Sequence, residues 1–128
     1  VPFDVIRGAG VPVSHLPFSP ATGAGGFVFV SGQASVDDAG AIVVDTFEGE
    51  FRRSVENVKR ILAAANLTLA DVVQVRSYVD NPKDIPEYNR LYREYFFEPF
   101  PARATIVNCL GGALKYEIEV IAFRGTGA

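Results

Sequence analysis

The sequence holds one cysteine, Cys109, and one histidine, His15. A lone cysteine cannot close a disulfide within the chain or build a multi-cysteine zinc site. A lone histidine rules out multi-histidine metal centres, and it leaves a Ser-His-Asp arrangement a single candidate base near the N-terminus. No apolar run approaches the ~18 residues of a membrane-spanning helix. The opening residues, VPFDVIRGAG, lack the basic-then-apolar order of a secretory signal. The expectation is a cytoplasmic protein with no membrane partner. Positive charge is scarce as well: 15 acidic against 12 basic residues, a net charge of −3. Nucleic-acid binding draws its electrostatic component from clustered Lys and Arg. Here the bases are scattered, which argues against a general nucleic-acid binder.

What is present is an ordinary globular composition: 128 residues, 48% hydrophobic, 12% aromatic and 21% charged. That length suits one domain over 1–128, able to bury a core without a disulfide or metal. Glycine and proline concentrate before residue 40 and read as loops around short extended pieces. FVFVSGQASV (27–36) is a Val/Phe-rich strand, DDAG (37–40) a turn and AIVVD (41–45) a second short strand. Phe47, Phe51, Val55, Val58, Leu62 and Ala65 recur at spacings of 4, 4, 3, 4 and 3, one stripe of a helix. Asp45 or Thr46 can cap its start and Asn66 can stop it. Val73, Val75 and Val79 alternate with polar residues in a strand that ends at Asn81-Pro82. Ile85, Tyr88, Leu91, Tyr92, Tyr95 and Phe96 predict a second helix over about 84–97, closed by Pro99 and Pro101. ARATIVNC (102–109) and LKYEIEVIAF (114–123) are two last strands joined by a Gly111-Gly112 loop.

The order β-β-α-β-α-β-β predicts an α+β fold, with two one-sided helices covering one face of a sheet. The other face then needs a partner, and a second copy of the chain is the expected one.

Chemistry can sit at few positions. Arg103, in FPARATIV, stands among apolar neighbours. Its planar fork suits a carboxylate, either a structural one or a ligand's. Glu117 and Glu119 share one face of the last strand with Ile121 and Phe123. They suit a solvated face, an ion pair or a proton-shuttling acid/base. Ser31-Gly32-Gln33 interrupts an apolar strand, either to let a ligand approach the backbone or as a β-bulge. Phe18 and Asn89 read as core and helix surface when taken alone. Thr105 shares the strand face of Arg103. Cys109 is expected to be buried and inert, since no base pairs with it. If residues 110–113 make a plain hairpin, Arg103 opposes Val120 and lies on the other sheet face from Glu117.

FVFVSGQASVD, ENVKRILAAANLTLADVVQVRSYV, EYNRLYREYF, FPARATI and LKYEIEVIAF together resemble, in order and spacing, the RidA (YjgF) family of reactive-intermediate imine deaminases. The most specific part is P-A-R followed fourteen residues later by E-I-E. The resemblance implies a chorismate-mutase-like fold and a homotrimer with ligand clefts between subunits. It implies hydrolysis of small enamines and imines, of the 2-aminoacrylate and 2-iminopropionate type, to a 2-keto acid and ammonia without a cofactor or metal. Arg103 would grip the substrate carboxylate, and Glu117 would orient or activate water. Phe18, Ser31, Gly32, Asn89 and Thr105 would line the cleft. Phe18 replaces a tyrosine common in the family, and Thr105 a cysteine. The loop before LKYEIE is about one residue shorter than is usual there. These departures point to a different substrate preference or weak activity on 2-aminoacrylate. A non-catalytic trimer binding small carboxylates is the alternative. A ribonuclease or translation inhibitor is the third reading, disfavoured by the acidic balance and the lack of a histidine pair.

Overall fold

The apolar stripe that begins at Phe47 forms helix α1 (Phe47–Ala64), and the Thr46 hydroxyl accepts a hydrogen bond from Gly49 N at its start. Beyond its end, Asn66 takes the left-handed conformation, φ 60°, which asparagine tolerates better than most residues. Phe51, Val55, Val58, Ile61 and Leu62 are fully buried, each contributing about 1.5–3 kcal/mol of apolar burial. The second helix, α2, is shorter than the periodicity suggests (Ile85–Tyr95). A 3-10 turn over Pro82–Asp84, capped by Asn81, precedes it, and Phe96 is already extended.

The computed structural model describes residues 1–125, so the last three positions of the expected 1–128 domain lie outside the described residues. Both helices lie on one face of a six-stranded mixed sheet. Its strands are β1 (Asp4–Val5), β2 (Ala21–Ala24), β3 (Phe27–Ala34), β4 (Val72–Val79), β5 (Ala102–Val107) and β6 (Tyr116–Phe123), in the spatial order β1-β2-β3-β6-β4-β5. Only β4 and β5 pair in parallel, and α2 is the crossover that a parallel pair requires. The buried face carries Val28, Val30, Val75, Val79, Tyr116, Ile118 and Val120. The opposite face presents Phe27, Phe29 and Phe123, each about 40% exposed, as the one-sided helices predict. Among the described residues no helix is long and apolar enough to cross a membrane.

Short extended pieces are expected near the N-terminus, and two strands stand there: β2 within the glycine-rich stretch and β1 just before it. Three local expectations change. AIVVD forms no strand and keeps one bridge, Val36 to Ile42. Ile42 and Val44 are exposed, so that segment has no face to bury. In β4 the register shifts between Val72 and Gln74; Val72 enters the core and Val73 faces out. Finally, β5 and β6 form no hairpin, because each pairs with β4 from its own side. Asp80, just past β4, anchors the connection between them. Its backbone carbonyl accepts from Asn108 N at 3.0 Å, its carboxylate from Leu110 N at 2.9 Å, and its own N–H donates to the Lys115 carbonyl at 3.1 Å. The buried Glu50 of α1 accepts from Lys115 N at 2.9 Å and from Lys115 Nζ at 3.2 Å, fixing where β6 begins.

Candidate active site

Arg103 lies opposite Val75 in β4, and Val75 lies opposite Val120 in β6. Directly opposed residues share a face, so Arg103 projects to the helix side. β5 is an edge strand, and there the side chain stays exposed. Its guanidinium carbon is 4.9 Å from the ring centroid of Tyr88 and 4.8 Å from that of Tyr92. These two tyrosines stand one helical turn apart on α2 and are almost wholly buried. The rings hold the cation by their quadrupoles. Among the described residues no carboxylate comes within ion-pairing distance of Arg103. The structural carboxylate that the sequence left open is therefore not there.

Thr105, on the same face, shares a hydrogen bond of 3.1 Å with the Tyr88 hydroxyl. Asn89, Tyr92, Arg93, Phe100 and Pro101 surround Arg103 in an open cleft of about 240 Å³. The Tyr92 hydroxyl is buried and has no hydrogen-bond partner among the described residues. Its burial, then the neighbouring Tyr88, push its pKa up, and the Arg103 charge opposes them.

Glu117 belongs to the other face. It opposes Tyr78 in β4 and Ala34 in β3, next to the point where β3 loses register between Val30 and Gln33. Ser31-Gly32 is thus a bulge, and the bulge also serves the carboxylate: a side chain at Gly32 would collide with Glu117 Oε2. Desolvation, followed by the Glu119 charge, raises the pKa of half-buried Glu117. Glu119 itself is held by Arg76 at 3.1 Å and by the Tyr78 hydroxyl. Ser31 turns its hydroxyl to the Ser19 carbonyl at 2.6 Å, tying the bulge to the segment that carries Phe18. Phe18, half exposed, lines a second cleft of about 170 Å³ with Leu16 and Gly32.

The seven residues singled out in the sequence therefore form two clusters. Arg103, Asn89 and Thr105 lie on the helix side; Glu117, Gly32, Ser31 and Phe18 lie on the other. Cys109 is exposed rather than buried, because it follows β5 in the loop. Sequence reasoning missed Tyr88 and Tyr92 as site residues, since both fit the apolar stripe of α2. The available signal was a pair of tyrosines at i and i+4 where leucine or phenylalanine would fill the core equally well.

The family model for endoribonuclease L-PSP matches residues 10–124. The chain belongs to the RidA (YjgF/RutC) family. A RutC family protein of Pyrococcus horikoshii is 37% identical over 123 residues, covering 94% of this chain and 98% of the relative. A family member from Salmonella typhimurium, named 2-iminobutanoate/2-iminopropanoate deaminase, is 35% identical over 117 residues, 88% of this chain and 91% of the relative. The crystal structure of Escherichia coli TdcF with bound serine has 31% identity and a TM-score of 0.83, over 95% of this chain and 99% of that one. The α+β sheet with its two helices is thus the fold of this family.

Proposed function

We propose that the protein hydrolyses small 2-imino acids and their enamine tautomers to 2-keto acids and ammonia, in clefts that two subunits of a homotrimer complete. The observation that carries this reading is a guanidinium held by two aromatic rings with, among the described residues, no carboxylate at ion-pairing distance. Such a group suits the carboxylate of a small guest, bound through two parallel hydrogen bonds. Relatives at about this distance bear the deaminase name, and one family structure holds an amino acid.

The chemistry asks little more. The imine carbon is already electrophilic. A water oxygen adds to it while Glu117 takes the water proton. The imine nitrogen enters protonated, so this addition gives a neutral carbinolamine. Glu117 returns its proton to that nitrogen, the C–N bond breaks, and the hydroxyl proton passes to Glu117 as the carbonyl forms and ammonia leaves. A carboxylate whose pKa is raised by burial is better suited to take and return that proton. Positioning supplies the rest. Because Arg103 and Glu117 face opposite ways in one chain, Glu117 would come from a neighbouring copy. The exposed Phe27, Phe29 and Phe123 offer that copy an apolar face to cover.

The test is a coupled assay. An amino-acid oxidase generates 2-iminopropionate or 2-iminobutanoate, and semicarbazide traps what remains. The wild type is expected to clear imine well above the buffer rate, and Arg103→Ala to lose most of that clearance. One observation favours a second reading, a non-catalytic carboxylate binder: the ring of Phe18 brings no hydroxyl to the cleft of Gly32. Keto-acid binding without imine clearance would decide for it.

A further inference from the structure

Of the nine arginines, six pair with a carboxylate: Arg52, Arg53, Arg60, Arg76, Arg90 and Arg124. Among the described residues Arg7, Arg93 and Arg103 do not, and two of these three, Arg93 and Arg103, line the same cleft. Arg93 reaches it from α2, one turn beyond Asn89, whose backbone carbonyl accepts from Arg93 Nη1 at 3.3 Å. That contact steadies the guanidinium and leaves its charge unanswered. Phe100 and Pro101 form an apolar wall of the same space. Two like charges opening on about 240 Å³ repel each other, and a guest with one carboxylate neutralises only one of them.

We propose that this cleft is built for ligands with two carboxylates. It rests on the deaminase reading and narrows it: the substrates are 2-imino acids whose side chain ends in a second carboxylate. Arg103 takes the carboxylate beside the imine, and Arg93 takes the distal one. The intervening methylenes lie along Phe100 and Pro101. Water converts the C=N of such a substrate to C=O, giving a dicarboxylic 2-keto acid and ammonia.

The test compares 2-oxoglutarate with 2-oxobutanoate, titrated calorimetrically into the assembled protein. The wild type is expected to bind 2-oxoglutarate about tenfold more tightly or better, the worth of one charge-assisted contact. The ratio falls toward one in Arg93→Gln and persists in Arg7→Gln, which removes the remaining unpaired arginine away from this cleft. Equal affinities in the wild type overturn the proposal. So does a ratio that survives Arg93→Gln in a variant whose melting temperature shows it folded. Clearance of 2-iminoglutarate and 2-iminobutanoate, each generated by an oxidase, separates this proposal from the reading beneath it. Clearance of 2-iminobutanoate with no dicarboxylate preference removes the Arg93 site and leaves the deaminase standing. Dicarboxylate preference with no clearance of either imine supports the two-guanidinium cleft and overturns the deaminase.

Discussion

Arg103 and Glu117 leave one sheet in opposite directions. The first extends toward the rings of Tyr88 and Tyr92 on the helix side, and the second toward Gly32 on the open side. Within one chain they lie on opposite faces of the sheet. If catalysis needs both, two inactive variants should rescue each other. Arg103→Ala and Glu117→Gln, unfolded and refolded together in equal amounts, should regain about one quarter of wild-type clearance, the share of sites that draw an intact residue from each parent under random assembly. Each variant refolded alone should stay inactive. No recovery in a mixture whose exchange is verified by mass spectrometry removes the shared site.

Gly32→Ala probes the contact between the bulge and the carboxylate. The added methyl group meets the tip of the Glu117 side chain, which can swing away. Expected is a fall in kcat of roughly tenfold to a hundredfold, because displacement of a reacting group by about 1 Å is expensive. The melting temperature should move little. A large loss of stability with kcat retained would place the glycine in folding instead.

The raised pKa of Glu117 fixes the sign of a pH effect. Burial first, and Glu119 second, favour its protonated form above the ordinary value of 4.5. The folded chain keeps that proton to a higher pH than the unfolded chain. The associated stability is full below 4.5 and is lost as pH rises through the folded value. Glu117→Gln should therefore melt higher than wild type at about pH 7.5, and the difference should close at about pH 4. In the wild type the acid limb of kcat/KM should inflect above 4.5.

The two tyrosines beneath Arg103 differ in what their hydroxyls do. That of Tyr92 is buried with no partner among the described residues, so Tyr92→Phe should gain about 1 kcal/mol, a rise of ~3–5 °C in Tm. That of Tyr88 bonds Thr105, and Tyr88→Phe should lose a similar amount. Both phenylalanine variants keep a ring under the guanidinium. Tyr92→Leu does not, and its KM should rise several-fold as the cation loses about 0.5–1 kcal/mol of attraction. Calorimetry and steady-state kinetics check the three together.

Much of this was legible in the residues. The α1 stripe, its Thr46 cap and its Asn66 stop follow from spacing and side-chain chemistry, because a helix is a local structure. Alternation in LKYEIEVIAF put Glu117 and Glu119 on one face. The separation of Arg103 from Glu117 was legible only on the condition of a hairpin that does not form, and it comes instead from the pairing of each strand with β4. Near the N-terminus short extended pieces were legible but the bounds of β1 and β2 were not, since strands of two and four residues carry too little alternation to place. The bulge at Val72–Gln74 defeated the Val73 assignment because a one-residue slip leaves no compositional trace. The hairpin expected between the last two strands failed for a different reason. Pairing between distant strands is decided by the whole sheet, and β4 was the better neighbour for both.

That arrangement makes β4 the ruler of the molecule. Arg103 takes its height from Val75, and Glu117 takes its own from Tyr78. The segment between the anchors at Leu110 and Lys115, with Gly111 and Gly112 at φ 70° and 84°, sets neither. Residues can be added to or removed from that tip without changing the spacing of the two groups. It is the place where this scaffold can accept a label, a tag or a longer natural insert while its chemistry keeps its dimensions.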